Sequence, residues 1–363
     1  MGFWVIMYLP FVRIGKIMTL KLDFSILKNL TQIPGISGRE SQVRAYVTDL
    51  LSPVADEIRT DTLGNLIVSK KGTSDKHLLL CAHMDEVGLM IHFIDEHGFL
   101  RFVTVGGIDP RTLLAQRVRV QTKTGPILGV IGTKPAHITT EAERGKAVPL
   151  KDLFIDVGLP ATEVKKIIRP GDYAVLDRPY EEFGDGLVSA KALDNRAGVF
   201  IQAEVFKHLN QPFYTVDAVF TVQEEVGVRG ATTAAFGLTP DVSLCLDTTG
   251  AADIPGVAPQ DQLVRLGGGV GITALDARTI TPQLLFEALV QRCEQEQIPY
   301  QVRIAQRGGN DAGAVHLSKT GVACCALSLP TRNIHSNVEV CAKRDIESMA
   351  ALTLCCAQQG VSF

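Results

Sequence analysis

Apolar positions change period several times along the chain, and the changes divide it into two kinds of segment. From Leu22 onward they recur with helical spacing over 24–31, 40–51, 192–209, 282–297 and 343–357, which predicts a helix at each place. Between the helices lie short continuous apolar runs at 78–82, 218–222, 242–246 and 322–329, the form taken by strands of a sheet covered on both faces. Strands alternating with helices in this way predict a layered α/β domain. The stretch 88–178 reads differently. It is built from β-type runs (RFVTVGG, RVRVQTK, ILGVIGT, YAVLD) punctuated by Gly, Pro and Asp, with helical period only around 162–168. The pattern predicts a small β-domain at 88–178, inserted into an α/β domain formed by 18–87 and 179–363 together.

Composition agrees with this and narrows the function. The chain has 363 residues, 46% of them hydrophobic and 21% charged, which fits about two domains of ~150 residues each with real cores. A formal charge of -3 and the absence of any Lys/Arg-rich run argue against nucleic acid as a partner. The amino-terminal MGFWVIMYLPFVRIGK lacks a basic leader and a small-x-small cleavage site, carries Pro10, and falls short of the ~18 apolar residues a membrane span needs. Residues 1–17 therefore read as an extension ahead of a start near Met18, with no membrane partner. None of the eight cysteines forms a C-x-x-C pair, and most sit in apolar runs such as HLLLCAH, VSLCLD and ACCALSL. Reduced thiols acting as small hydrophobes in the cytoplasm are the expectation.

Chemistry-bearing residues gather at the ends of the apolar strands. His83-Met84-Asp85-Glu86 follows LLLCA. An open α/β sheet places ligand groups there, and His with Asp two residues on can supply a metal ligand plus a carboxylate that orients the ring. A hydrogen-bonded structural histidine is the alternative. Asp194 opens a long apolar helix, where it could cap free N–H groups or bridge two cations with its two oxygens. The adjacent Glu224 and Glu225 follow AVFTV and repel one another, which suggests a cation or a shared proton nearby, against the alternative of a solvated acidic loop. Asp247 lies at the end of VSLCLD, and His335 follows ACCALSL. Each has a structural reading on its own. Taken together, two histidines and several carboxylates delivered to one sheet edge form a mixed N/O set suited to a pair of divalent first-row ions. That set points to two-metal hydrolysis.

With these motifs in order, HMDEVG, KPAHITTEAERGKAVPLKDLFIDVG, ALDNRAG, QEEVGVRGA, GGNDAG and LPTRNIHSNVE, the chain resembles the M42 metallopeptidases from about Leu22 to its carboxyl end. That family includes glutamyl and deblocking aminopeptidases and some members once labelled endoglucanases. The resemblance implies an α/β/α peptidase domain with an inserted, barrel-like β-domain, through which dimers and then tetrahedral dodecamers form. It implies that His83, Asp194 and Asp247 hold one ion and Asp194, Glu225 and His335 the other. Glu224 would be the general base, and Asp85 would support His83. The resemblance also implies a cis peptide at Asp194-Asn195. Two positions depart from the family pattern: Asn310 where Thr is more usual, and Asn333 where an aromatic is common, both read as bearing on specificity.

The implied reaction is hydrolysis of the amino-terminal peptide bond by a metal-activated hydroxide, with Glu224 accepting and returning the proton. Zn, Co and Mn all suit the ligand set. A glycosidase using a carboxylate pair would have no need of His83 and His335. A metal-dependent deacylase of small molecules would share every ligand, and a non-catalytic oligomeric scaffold would need none of them.

Overall fold

A computed structural model describes residues 20–141 and 145–363 of the chain. The extension read over residues 1–17 lies outside the described residues. An 11-stranded mixed sheet runs in the order Glu57–Thr60, Leu66–Lys70, Thr215–Thr221, His77–His83, Val242–Gly250, Ala323–Arg332, Glu339–Ala342, Leu187–Ala190 and Glu181–Phe183. Off this path Val270–Leu275 pairs with Ala323–Arg332 and carries Tyr300–Ile304 on its far side. The four central strands, from Thr215–Thr221 to Ala323–Arg332, are mutually parallel, so their carboxyl ends share one edge. These are the four apolar runs of the sequence, buried on both faces as their composition requires.

Helices cover both faces. On one, Leu193–His208 lies against the sheet and packs with Lys343–Gln359 and Phe24–Gln32, burying Leu27, Leu30, Phe200 and Phe206 with Leu78, Leu80 and Phe220. Asp23 caps the helix Phe24–Gln32 by accepting the Ser25 N–H. On the other face Ala231, Ala234 and Ala235 of Arg229–Gly237 meet Leu79, Val219 and Cys245. All five predicted helices are present within a residue or two of their expected ends. The helix Arg229–Gly237 has no counterpart in the sequence reading, because its RGATTAAFG is rich in Gly and Thr, which are poor helix formers. Small side chains packed closely against the sheet hold it instead.

A second sheet closes on itself. Gly88–Ile94, Leu100–Val105, Phe154–Asp156, Gly125–Gly132, Arg117–Thr122 and Tyr173–Leu176 form a six-stranded barrel in that order, around Leu89, Ile91, Leu100, Val118, Val120 and Ile155. The short helix expected near 162–168 is Ala161–Ile167. The fold is thus α/β, with the barrel strands lying in the chain between Glu57–His83 and Glu181–Ala342, whose strands interleave in the one main sheet.

Arg196 ties the layers together. Its side chain is fully buried and donates to the carbonyls of Leu30, Ile33, Met84 and Gly35, while its Nη2 lies 3.3 Å from Glu86 Oε1. Lys191 Nζ completes the cluster at 2.7 Å from Glu86 Oε2. Removing one member of such a buried charged network exposes nothing to water and strands its partners, at a cost of about 3–5 kcal/mol. Arg196→Met is therefore expected to lose stability of that size in urea unfolding. A loss below about 1 kcal/mol would show that the network is not a structural tie.

Candidate metal centre

The sheet edge explains why distant residues meet. His83 ends its strand and pairs in register with Thr221, so the turn Gln223-Glu224-Glu225 emerges beside it. On the other side Cys81 pairs with Cys245, and two residues further along these parallel strands His83 and Asp247 stand level on the same face. His335 follows the fourth strand, Ala323–Arg332. Asp194 arrives from the first turn of Leu193–His208, where Asp194 and Asn195 have non-helical dihedrals and the peptide between them is cis. Asn195 anchors this turn by donating to the Leu246 carbonyl and accepting the Gly198 N–H.

Two groups of ligand atoms result, one of His83, Asp194 and Asp247, the other of Asp194, Glu225 and His335, with all atoms of a group within 4.8 Å of one another. Asp194 belongs to both. His83 Nε2 lies 3.3 Å from Asp194 Oδ1 and 3.6 Å from Asp247 Oδ1, and His335 Nε2 lies 3.4 Å from Asp194 Oδ2 and 3.3 Å from Glu225 Oε2. Asp194 Oδ1 and Glu225 Oε1 are buried without a hydrogen-bond partner. Buried carboxylate oxygens without hydrogen-bond partners, on residues whose carboxylates also face imidazole nitrogens, are the donor set of a divalent first-row ion, so the residues fit a metal pair. Glu224 joins neither group.

Asp85 is fully buried and does more than face His83. Its backbone carbonyl lies 3.0 Å from His83 Nδ1, closer than its carboxylate at 3.5 Å. The carboxylate instead accepts the backbone N–H groups of Glu224 (3.0 Å) and Glu225 (3.2 Å) and the Ser37 hydroxyl (2.6 Å). It thereby fixes the turn that carries both glutamates.

The electrostatics describe a site short of positive charge. Burial, reinforced by neighbouring carboxylates, pushes Glu224 well above the usual carboxylate range and raises Glu225 and Asp247. Burial alone would discharge the histidines. The carboxylates of Asp247, Asp194 and Asp85 nevertheless hold His83 well above its ordinary value, and Asp194 and Glu225 lift His335 to about 11. Asp194 is also buried, yet the two histidines bring it below the ordinary range.

Two residues of the site, Asp311 and Glu339, lie in motifs quoted from the sequence that gave them no role of their own. Asp311, buried, accepts the Thr221 hydroxyl at Oδ2 while Oδ1 has no hydrogen-bond partner, and burial raises it to about 8. It opens a helix of four residues, too short to leave a periodic signal. Glu339, also buried, accepts the backbone N–H groups of Asp194 and His335. The only sign of it in the sequence is its place four residues after His335 in HSNVE. The two departures from the family pattern have local explanations. Asn310 is 5% exposed and its Oδ1 accepts the Ala312 N–H, while Asn333 sits at φ 56, a left-handed conformation that Asn tolerates better than most residues.

The family model described as M42 glutamyl aminopeptidase matches residues 64–352. The chain is 33% identical over 339 residues to the lysyl aminopeptidase of Pyrococcus furiosus, covering 91% of this chain and 95% of that protein. Among solved structures, an aminopeptidase from the archaeon Desulfurococcus kamchatkensis superposes with a TM-score of 0.90 at 40% identity, covering 93% of this chain and 95% of that one. The Pyrococcus horikoshii TET1 peptidase, described as able to assemble into a tetrahedron or a large octahedral shell, superposes with a TM-score of 0.84 at 35% identity over 92% and 98% of the two chains. The chain belongs to the M42 glutamyl aminopeptidase family and is a peptide hydrolase.

Proposed function

We propose that the protein is a two-metal aminopeptidase that removes residues from the amino termini of peptides. The observation that carries the reading is the pair of ligand groups sharing Asp194, with Glu224 beside them and outside both. His83 and Asp247 would hold one ion, Glu225 and His335 the other, and Asp194 both. Zn or Co suits the set best, and Mn also fits. When bound, the ions supply Lewis acidity toward the scissile carbonyl and make a hydroxide nucleophile available near neutral pH. Glu224 accepts the proton of the attacking water and returns one to the leaving amine. Burial raises its carboxyl above the usual carboxylate range, the direction that makes a carboxylate a stronger proton acceptor. Asp85 acts by position, holding the Glu224 and Glu225 backbone through two N–H groups. The acidic surroundings favour a substrate's protonated α-amine over a blocked terminus.

A carboxylate-pair glycosidase leaves both histidines without a task, and chelation separates the two readings. A small-molecule deacylase would share the ligands and is separated by a panel of aminoacyl and acyl substrates. Among the described residues no helix is long and apolar enough to cross a membrane, and all eight cysteines are buried and unpaired, as suits a reducing compartment such as the cytoplasm.

Residues 88–178 are proposed as the self-association module, giving dimers and, from them, a dodecamer. The barrel exposes Phe93, Val103, Leu128 and Val130, large apolar side chains that a second copy would cover. Replacing Leu128 and Val130 together with Glu is expected to yield a smaller species by light scattering with the catalytic fold intact. An unchanged assembly would remove this surface from the interface.

The general-base role is tested by Glu224→Gln, which keeps the shape of the side chain and cannot accept a proton. Removal of a general acid–base group lowers rate on the order of 10²–10⁴-fold. The variant is expected to lose kcat by that factor while binding both ions, whereas Glu225→Gln loses an ion as well as rate. Activity of Glu224→Gln within a few-fold of the parent would assign the proton transfer to another group.

A further inference from the structure

We infer that Glu339 is the positioning residue that sets the second ion-binding group, by fixing the bridging ligand and His335 to one another through their backbones. Its Oε2 accepts the Asp194 N–H at 2.8 Å, and its Oε1 accepts the His335 N–H at 2.8 Å. The two N–H groups belong to segments far apart in the chain, so one carboxylate spans what no local structure joins. Glu339 is 1% exposed. It opens the strand Glu339–Ala342, where it pairs in register with Ala190, four residues before Asp194. Its backbone is thus set by the sheet, and its side chain passes that placement on to two ligand-bearing turns.

Both turns need such a constraint. Asp194 has non-helical dihedrals within its helix, and His335 has a φ of 61, a left-handed conformation uncommon for residues other than glycine. A carboxylate suits the position because both of its oxygens accept, and charge-assisted bonds to backbone N–H groups are the stronger kind. An amide would turn an N–H₂ donor toward one of the two N–H donors and break that arm of the clamp.

The inference rests on the two-ion reading and adds that the two sites depend on Glu339 unequally. His83 and Asp247 lie outside its hydrogen bonds, while His335 is held directly. Groups that orient metal ligands typically contribute 10–100-fold in ion affinity. Calorimetric titration of the ion-free protein with Zn or Co, paired with elemental counting of bound ions, reads the two sites separately from turnover. Glu339→Gln is expected to weaken one site by at least tenfold relative to the other, and His335→Ala should weaken that same site. Glu339→Asp, which keeps the charge with one methylene less, should show the same inequality to a smaller extent and serves if the amide variant does not fold. Two sites as tight as in the parent, or two weakened equally, would overturn the positioning role while leaving the two-ion reading intact. A parent that binds fewer than two ions would overturn both.

Discussion

Seven carboxyl groups, those of Asp85, Asp194, Glu224, Glu225, Asp247, Asp311 and Glu339, are drawn to one edge of the sheet with only two histidines among them. Taking a carboxylate out of water costs several kcal/mol unless hydrogen bonds or positive charge compensate. The structure divides that compensation in two. Asp85 and Glu339 each accept a pair of backbone N–H groups and act as rigid clamps. Asp194, Glu225 and Asp247 face imidazole nitrogens, and two oxygens of this set, Asp194 Oδ1 and Glu225 Oε1, are buried without a hydrogen bond. This unmet demand for positive charge is what the proposed ion pair satisfies, and it accounts for the upward pressure on both histidines.

The scaffold follows from the need to hold that charge in place. Parallel strands bring their carboxyl ends to one edge without any ligand having to reach far, and buried strands keep register because a one-residue slip would move every side chain to the opposite face, into packing shaped for another residue. Beneath the ligands, the Arg196–Glu86–Lys191 cluster joins the segment carrying His83 to the helix carrying Asp194. The barrel plays no part in either ligand group. Its separate core leaves it free to carry an apolar outer surface, a division of labour between chemistry and proposed assembly.

Much of this was legible in the sequence because strong signals agreed. Buried parallel strands read as unbroken apolar runs, the five long helices as 3.6-residue period, and the barrel as a break in both patterns. The candidate ligand residues stand out because each follows such a run or opens such a helix, and because ordered motifs point to the M42 family. What stayed hidden had no periodic trace. Arg229–Gly237 is a helix because alanines fit the sheet, against its own propensity. Glu339 and Asp311 gain their importance from hydrogen bonds to groups distant in sequence, and Asp85 was expected to serve His83 when its carboxylate mainly holds the turn of Glu224 and Glu225. Such roles depend on which backbone N–H groups and hydroxyls converge, and that is settled only once the sheet is assembled.

The central claim is that one carboxylate, Asp194, serves two ions at once. Anomalous diffraction from crystals prepared with Zn or Co tests it most directly. The account predicts two peaks per subunit, one contacted by His83, Asp247 and Asp194 and the other by Glu225, His335 and Asp194. A single peak, or two peaks of which only one touches Asp194, would contradict it.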